Sequence, residues 1–324
     1  MGAQLQLTAS AKVREAPRAV HVHGGSARSI GIEQRLRSLA AIASASGLRL
    51  AALSYLAVCV AVPLLIIHAE GLRHGLDSVV NDVTRPAALH AIGLTVWTAA
   101  LMTVINTVMG VLTAYVLVTY RFPGKALLNA LVGLPLAIPT LIAGVMLVIL
   151  YGPQTAIGSF FEKQLGTRIL FAPPGIVLAL LFVSYPFVVR TVQPALLALD
   201  GDQSEAAYTL GASGWYTFRR VILPAITPAV LTGALLSFAR ALGEFGAVVI
   251  VAGNIPMRSQ MASVYIYAQV EAGDMQAASG VSMVLLWIAF GLTFGAEWLA
   301  RKYSAMPVQT AQAGVSPTVA RQSP

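Results

Sequence analysis

Two side chains of opposite charge, Arg240 and Glu244, lie inside an apolar stretch that is long enough to cross a bilayer. Their spacing of four residues predicts that they share one face of a helix and can pair there. A charge near the bilayer centre costs about 2.5–3.5 kcal/mol on insertion scales, so such side chains usually pair or face a cavity. Two interpretations follow. The pair neutralises itself and fixes helix packing, or Arg240 lies beside a path that an anion follows.

An arginine beside such a path has a definite chemistry. Guanidinium and backbone N–H groups suit a tetrahedral dianion, which accepts several hydrogen bonds at once. A fixed arginine clamp would hold the anion too tightly for rapid release, so a gate role fits Arg240 and Glu244 better than a permanent binding site. Asn254, on the predicted outer stretch, is a further candidate for the gate, although a solvated loop is the simpler explanation.

A polar segment between two apolar ones, residues 200–224, is called the elbow below. Asp202 and Glu205 have the spacing of a helix-capping pair, and Gly211 tolerates the left-handed conformation that ends a helix. Ser213 can cap a second short helix. One face of that helix is predicted to carry three apolar residues, Trp215, Phe218 and Ile222. Such an elbow suits a groove in another protein or, on shape alone, a layer of lipid headgroups.

The composition of the whole chain indicates a membrane protein. Of its 324 residues, 57% are hydrophobic and only 10% are charged, whereas a soluble domain carries about 25% charged residues. Apolar segments of about 20 residues predict an all-α, polytopic bundle of about six transmembrane helices. The predicted spans are 48–68, 89–119, 126–151, 173–192, 226–251 and 279–299. A short helix outside the spans is expected over Ser259–Val270.

The distribution of charge predicts the orientation in the membrane. The segments that we assign to the inner side carry 15 Lys/Arg and 6 Asp/Glu, whereas the outer loops carry 5 and 6. Basic residues collect on the cytosolic side of polytopic proteins, so both termini are predicted to be cytosolic. The net charge of +8 therefore reflects topology and does not predict a nucleic-acid partner. A single cysteine, Cys59, excludes an intrachain disulfide.

Three regions are predicted along the chain. Residues 1–47 are rich in Ala, Ser, Gly and Arg and form a disordered basic tail, although the same bias also fits an organellar transit peptide. Residues 48–302 form the transmembrane domain, and residues 303–324 form a polar tail. The expected location is the bacterial inner membrane, with the chloroplast envelope membrane as the alternative.

The elbow resembles the EAA motif of the permease subunits of ABC importers. Glu205-Ala206-Ala207 is followed by Gly211-Ala212 and then by Val221-Ile222-Leu223-Pro224, with the residue types and spacing of that motif. In that family the loop carries a helix that docks onto the ATPase subunit. The resemblance implies that seven residues couple this chain to an ATPase: Glu205, Ala206, Ala207, Gly211, Ala212, Leu223 and Pro224.

Three further segments are similar to the sulfate and thiosulfate branch of these permeases, in either of its two subunit types, T or W. They are Tyr120–Lys125, Pro186–Arg190 and Gly243–Ala247. The resemblance extends over most of residues 89–302 and implies the fold of a type I ABC importer permease. The molybdate or tungstate permease shares several of these patterns and is the alternative. It is generally shorter at its N-terminus, so the first span here favours sulfate.

The mechanism of the family implies several partners. An extracytoplasmic sulfate-binding protein would deliver the anion, a second permease chain, homologous or identical, would complete the pathway in the lipid membrane, and two ATPase subunits would drive it. No nucleotide-binding loop of the G-x-x-x-x-G-K-[ST] type occurs in this sequence. Mg-ATP is therefore expected on the ATPase, with no cofactor, metal or catalytic residue in this chain.

Two other classes of protein fit less well. A secondary anion transporter or channel predicts inverted repeats and ion-binding carboxylates at mid-membrane, but Glu244 is the only acid deep in a predicted span. A membrane-embedded enzyme needs clustered His, Asp, Cys or Ser, and the predicted spans contain no such cluster.

Overall fold

The computed structural model describes residues 47–199 and 201–304, and beyond residue 295 the only side chain described is that of Trp298. All regular secondary structure in these residues is helical, as predicted. The helices, numbered in chain order, are α1 (Gly47–Gly71), α2 (Leu76–Thr84), α3 (Pro86–Thr119), α4 (Lys125–Ala137), α5 (Thr140–Tyr151), α6 (Ala156–Leu165), α7 (Pro173–Leu197), α8 (Gly201–Thr209), α9 (Gly214–Leu242), α10 (Gly246–Val251), α11 (Ala262–Glu271) and α12 (Met275–Ser304).

Five helices within the described residues are long and apolar enough to cross a membrane: α1, α3, α7, α9 and α12. The bent pair α4 and α5 makes a sixth span if the two helices are counted together. The prediction of an all-α bundle with about six spans is therefore confirmed. The two predicted tails lie outside the described residues, apart from Gly47 at the start of α1 and residues 303–304 at the end of α12.

The described residues divide into two units between residues 63 and 64. The described part of the first unit, residues 47–63, is helical, and all of its residues are exposed. It includes a short π-helical stretch, Ala57–Ala61, and the exposed Cys59. A helix satisfies its own backbone hydrogen bonds, so an exposed apolar helix of this kind is suited to a lipid environment.

Three helices, α3, α7 and α9, form the centre of the second unit. One cluster of buried apolar side chains contains Met102 of α3, Leu180 of α7 and Ala241 of α9. Small residues let the helices approach closely: a Cβ on Gly110 of α3 would lie 2.8 Å from the Cβ of Val188 in α7. Close packing of this kind drives helix association in a membrane, because lipid is as apolar as a leucine side chain.

The predicted third span, 126–151, is not one straight helix. α4 ends at Ala137 and α5 begins at Thr140, with 112° between them. Pro139 explains the break, because proline has no N–H and restricts the preceding residue to extended backbone. Ile138 accordingly has φ −87° and ψ 126°.

The fifth span, predicted over 226–251, begins and ends at other residues in the structure. Its helix, α9, begins at Gly214 inside the elbow and ends at Leu242, and α10 follows a short interruption. A continuous helix through residue 251 is therefore a wrong prediction. The sequence signal for the interruption is Gly243 and Gly246, since glycine is common where a helix ends. In the structure the Glu244 carboxylate accepts the N–H of Ala247, so a new helix starts there.

The two broken segments lie against each other, because α10 packs on α5. A Cβ on Gly144 of α5 would lie 2.8 Å from the backbone oxygen of Ala247 in α10. Gly246 of α10 lies against the Thr140 side chain, which leaves no room for a methyl group. This interface therefore requires glycine at both positions.

The segments predicted as outer loops contain helices α2, α6 and α11, of which only α11 corresponds to a predicted helix. Arg85, just before α3, pairs with Asp82 of α2 at 2.6 Å and with Asp274 at 3.1 Å. The backbone N–H of Ala277 and the Arg85 guanidinium hold the pKa of Asp274 below its ordinary value. This charged cluster joins the starts of α3 and α12 outside the membrane-spanning segments.

Candidate functional site

Helix α8 forms the first arm of the elbow and ends as the sequence predicts. Gly211 follows it with φ +82°, in the left-handed region. The N–H of Gly211 donates to the carbonyl of Tyr208 at 2.9 Å, and the N–H of Ala212 donates to the carbonyl of Ala207 at 3.0 Å. This pair of bonds is a Schellman motif, which satisfies carbonyls that a helix end otherwise leaves free.

The start of α8 differs from the prediction. The helix begins at Gly201, so Asp202 and Glu205 lie inside it and do not form a capping pair at its start. Asp202 lies in the first turn, where the helix dipole favours a negative charge. Glu205 and Ala206 are exposed on the same arm.

Ser213 caps the second arm of the elbow, as predicted. Its hydroxyl oxygen accepts the N–H of Tyr216 at 3.3 Å. The helix continues from Gly214 through a π-helical turn, Phe218–Ile222, into the regular part of α9. Leu223 and Pro224 begin that regular part, so the second arm and the long helix are one continuous element.

The apolar face predicted for Trp215, Phe218 and Ile222 is divided in the structure. Phe218 and Ile222 are buried in a cluster that includes Leu117 of α3 and Val188 of α7. Trp215 is 67% exposed and stacks on Phe218, with ring centroids 5.8 Å apart. Phe218 and Ile222 therefore anchor the elbow to the bundle, while Trp215 extends from it.

The exposed surface of the elbow carries charged side chains, among them Glu205 and Arg219, beside large apolar and aromatic ones. The large exposed apolar and aromatic side chains are Tyr208, Leu210, Trp215 and Tyr216. Leu210 is the most exposed of them, at 88%. Leu223 is half-buried, whereas Pro224 is exposed. Such exposed apolar side chains suit contact with another protein or with lipid headgroups.

Arg240 and Glu244 form an ion pair in which Nη1 lies 2.6 Å from Oε2. The other carboxylate oxygen of Glu244 accepts the N–H of Ala247 at 2.9 Å. Ser263 of α11 donates to the backbone carbonyl of Glu244 at 2.7 Å. Glu244 therefore links the last turn of α9, the start of α10 and the start of α11. Its side chain is 1% exposed, whereas that of Arg240 is 32% exposed.

The position of this pair corrects one prediction. Arg240 and Glu244 do not share a helix face, because α9 ends at Leu242 and Glu244 lies beyond that end. Burying the carboxylate is possible since it has both a cationic partner and a backbone donor. About a third of the Arg240 side chain stays exposed beside this pair.

The remaining gate candidate, Asn254, lies elsewhere. It is exposed in the turn after α10, and its Oδ1 accepts a hydrogen bond from Nε2 of Gln260 at 2.5 Å. It forms no hydrogen bond with Arg240 or Glu244. The elbow is also distant from the ion pair, since Ser213 and Arg240 are separated by about 40 Å of helix. A gate role for these three residues stays a prediction.

A polar cluster that was not predicted from the sequence joins α7 to α4. Arg190 of α7 donates to the side chain and backbone oxygens of Asn129 in α4. The sequence signal is the charge of Arg190 near the end of an apolar helix. Its partner is 61 residues away, so the contact requires the fold.

The fold is that of the permease subunits of ABC importers. The solved structure of a bacterial alginate ABC transporter, in complex with a periplasmic protein bound to an alginate pentasaccharide, has a TM-score of 0.70 at 17% identity, over 84% of this chain and 99% of the solved chain. The inward-facing methionine transporter MetNI has a TM-score of 0.52 at 19% identity, over 66% of this chain and 95% of the solved chain.

Residues 106–304 match the family described as the inner membrane component of binding-protein-dependent transport systems, and the chain belongs to this family. The matched region contains the elbow and the ion pair. A probable sulfate transport system permease protein cysT of Chlorokybus atmophyticus is 42% identical over 76% of this chain and 86% of the relative. The sulfate transport system permease protein CysT of Synechocystis sp. is 39% identical over 72% of this chain and 82% of the relative. This chain is therefore a multi-pass permease subunit of an ABC transporter.

Proposed function

We propose that this chain is a transmembrane subunit of an ATP-driven importer for sulfate or thiosulfate. The observation that carries the proposal is the 42% identity, over 86% of its length, to a relative described as a probable sulfate transport permease. In this role the chain makes and breaks no covalent bond. It forms part of a path that a tetrahedral dianion follows through the membrane.

The elbow transmits the motion of a separate ATPase in this mechanism. The Schellman turn at Gly211 and the Ser213 cap set the angle between its two arms. Its exposed side chains, among them Leu210 and Trp215, offer apolar surface for docking. Mg-ATP binds to the ATPase, and this chain holds no cofactor. The working complex contains two ATPase subunits, a second permease chain, homologous or identical, and an extracytoplasmic sulfate-binding protein.

The ion pair acts at a junction of the path. Glu244 holds the start of α10, and α10 packs on α5, which follows the break in the third apolar segment. We infer that the path opens by movement of α9 relative to α10, at the position of Glu244. Arg240 then presents its open side to the passing anion, while Glu244 keeps that contact weak. Asn254 belongs to the outer side of the same gate.

The proposed location is the bacterial inner membrane, with both termini in the cytosol. The excess of basic residues on the predicted inner segments supports this orientation. The chloroplast envelope membrane is the alternative location. Relatives at about 40% identity come both from Marchantia polymorpha and from Synechocystis sp..

Uptake of labelled sulfate by proteoliposomes that contain the whole complex and its binding protein tests the proposal. We expect ATP-dependent uptake that unlabelled sulfate and thiosulfate suppress. If molybdate suppresses the uptake at far lower concentrations than sulfate and thiosulfate do, the chain belongs to molybdate or tungstate transport instead. Uptake that needs an ion gradient and no ATP would reject the importer mechanism in favour of a secondary transporter.

A further inference from the structure

Arg190 lines an open cavity that neither the elbow nor the ion pair uses. The cavity has a volume of about 730 Å³ and lies between α3, α4 and α7, on the side that the charge pattern assigns to the cytosol. Among the described residues, its walls carry two cationic side chains, Lys125 and Arg190, and no carboxylate. We call it the Arg190 cavity.

The guanidinium of Arg190 is held in place by neutral groups. Its Nη1 donates to Oδ1 of Asn129 at 2.9 Å and to Oε1 of Gln193 at 3.3 Å, and its Nη2 donates to the backbone oxygen of Asn129 at 2.8 Å. The Gln193 amide also donates to Oδ1 of Asn129 at 3.2 Å. No Asp or Glu of the described residues pairs with Arg190. Within the described part of the chain, the positive charge is therefore oriented without being neutralised.

One face of α4 is shaped to receive this group. Lys125, Asn129 and Gly133 follow one another at intervals of four residues and so lie on the same side of the helix. A Cβ on Gly133 would lie 2.9 Å from Nη2 of Arg190, so glycine makes room for the guanidinium. The Lys125 ammonium donates to the carbonyl of Tyr120 at 3.1 Å and has further N–H groups to offer.

We propose that the Arg190 cavity binds a tetrahedral oxyanion. A guanidinium has five N–H donors, and the contacts of Arg190 with Asn129 and Gln193 occupy three of them. The remaining donors, together with those of Lys125, match the several acceptor oxygens of a sulfate or phosphate group. A free anion and the phosphate of a lipid headgroup share this chemistry. The proposal goes beyond the transport function, since it does not depend on which anion is carried.

Binding to the complete complex of permease and ATPase, in nanodiscs of neutral phosphatidylcholine and without the binding protein, tests the free-anion source. Equilibrium dialysis with labelled sulfate and labelled phosphate, at constant ionic strength, gives the affinity. Arg190→Gln removes the charge. Asn129→Asp places a carboxylate against Arg190 and neutralises its charge. Because an aspartate oxygen keeps the contact between α4 and α7, we expect this variant to fold like the wild type. We expect each variant to weaken binding about tenfold or more, as the loss of a charge-assisted hydrogen bond predicts.

Nanodiscs that contain phosphatidylglycerol test the lipid source. The measured quantity is the anionic lipid retained by the purified complex, counted by native mass spectrometry. If a headgroup is the ligand, Arg190→Gln and Asn129→Asp lower this retention. Arg121→Gln is the matched control, because Arg121 is an exposed cation close to Lys125 in sequence that does not line the cavity.

The proposal is supported if Arg190→Gln and Asn129→Asp lose binding in either experiment while Arg121→Gln binds like the wild type. The experiment that shows the loss identifies the source of the oxyanion. Two results would overturn the proposal. One is that both Arg190→Gln and Asn129→Asp bind like the wild type in both experiments. The other is an equal loss in Arg121→Gln, which would assign the effect to diffuse surface charge.

Discussion

Gly144 lies against the backbone carbonyl of Ala247, so closely that a Cβ at residue 144 would come within 2.8 Å of the oxygen. The two residues belong to α5 and α10, the helices that follow the breaks in two different apolar segments. A backbone oxygen cannot rotate away as the end of a side chain can. The contact therefore couples the two broken segments firmly.

Gly144→Ala should destabilise the protein, because the added methyl group must push α10 away from α5. Overpacking of this kind costs about 1–3 kcal/mol. The thermal unfolding midpoint of the purified permease measures it. Gly93→Ala in α3 is the control, since a Cβ there has nothing within 4 Å. Equal midpoints for the two variants would contradict the close contact.

Gly211→Pro should leave the chain inserted in the membrane and disrupt docking of the ATPase. Proline cannot adopt the φ of +82° found at this position, and it lacks the N–H that donates to Tyr208. The ATPase should no longer co-purify with the variant. Gly211→Asn should retain most of the docking, because asparagine tolerates the left-handed region.

Gly201→Ala provides the matched control for the elbow. Gly201 begins α8, has no positive φ and has nothing within 4 Å of an added Cβ. This variant should co-purify with the ATPase like the wild type. Undiminished co-purification with Gly211→Pro would remove the elbow from the coupling mechanism.

Arg240→Ala should lower stability, because it leaves the Glu244 carboxylate buried at 1% exposure without its cation. The expected cost is about 3 kcal/mol, at the low end for a buried pair because Arg240 is 32% exposed. Arg240→Ala combined with Glu244→Gln removes both charges and keeps an oxygen for the N–H of Ala247. The unfolding midpoint of this double variant should recover much of the loss.

Sulfate uptake by the same double variant separates packing from gating. If Arg240 meets the passing anion, the double variant regains stability but transports poorly. Recovery of stability and uptake together would make the pair purely structural and would end the gate hypothesis.

Asp274 should make stability depend on pH in the acidic range. The Ala277 N–H and the Arg85 guanidinium hold the folded-state pKa of Asp274 below the ordinary value of 3.8. The ionised carboxylate therefore stabilises the fold above that ordinary value, and the contribution is lost as the pH falls through the folded-state pKa. Asp274→Asn should lower the unfolding midpoint at pH 7 and weaken its decline in acid.

Glu205→Gln is the control for this pH series. Glu205 is exposed on α8, lies beyond the first turn of that helix and forms no ion pair with a described residue. Its substitution should leave both the midpoint at pH 7 and the acid decline unchanged. An Asp274→Asn profile that matches the wild type at every pH would show that the cluster with Arg85 adds no stability.

The local features of the elbow could be predicted from sequence, because turns and caps depend on near neighbours. Gly211 and Ser213 are examples, and both adopt the predicted conformations. The break after Leu242 was not predicted although Gly243 and Gly246 flank it, because a glycine alone does not fix a helix end. The groups that stabilise the break come from α10 and α11. The contact between Arg190 and Asn129 spans 61 residues, so the sequence indicates the charge of Arg190 but not its partner.

The continuity of α9 has a mechanical consequence. From Gly214 to Leu242 it is a single rod of 29 residues, about 43 Å long, with an arm of the elbow at one end and Arg240 near the other. Tilting such a lever by about 5° moves its far end by about 4 Å. If α10 stays fixed against α5, that displacement exceeds the 2.6 Å between Arg240 and Glu244. A small rocking of one helix is thus enough to part the ion pair while every turn of the helix remains folded.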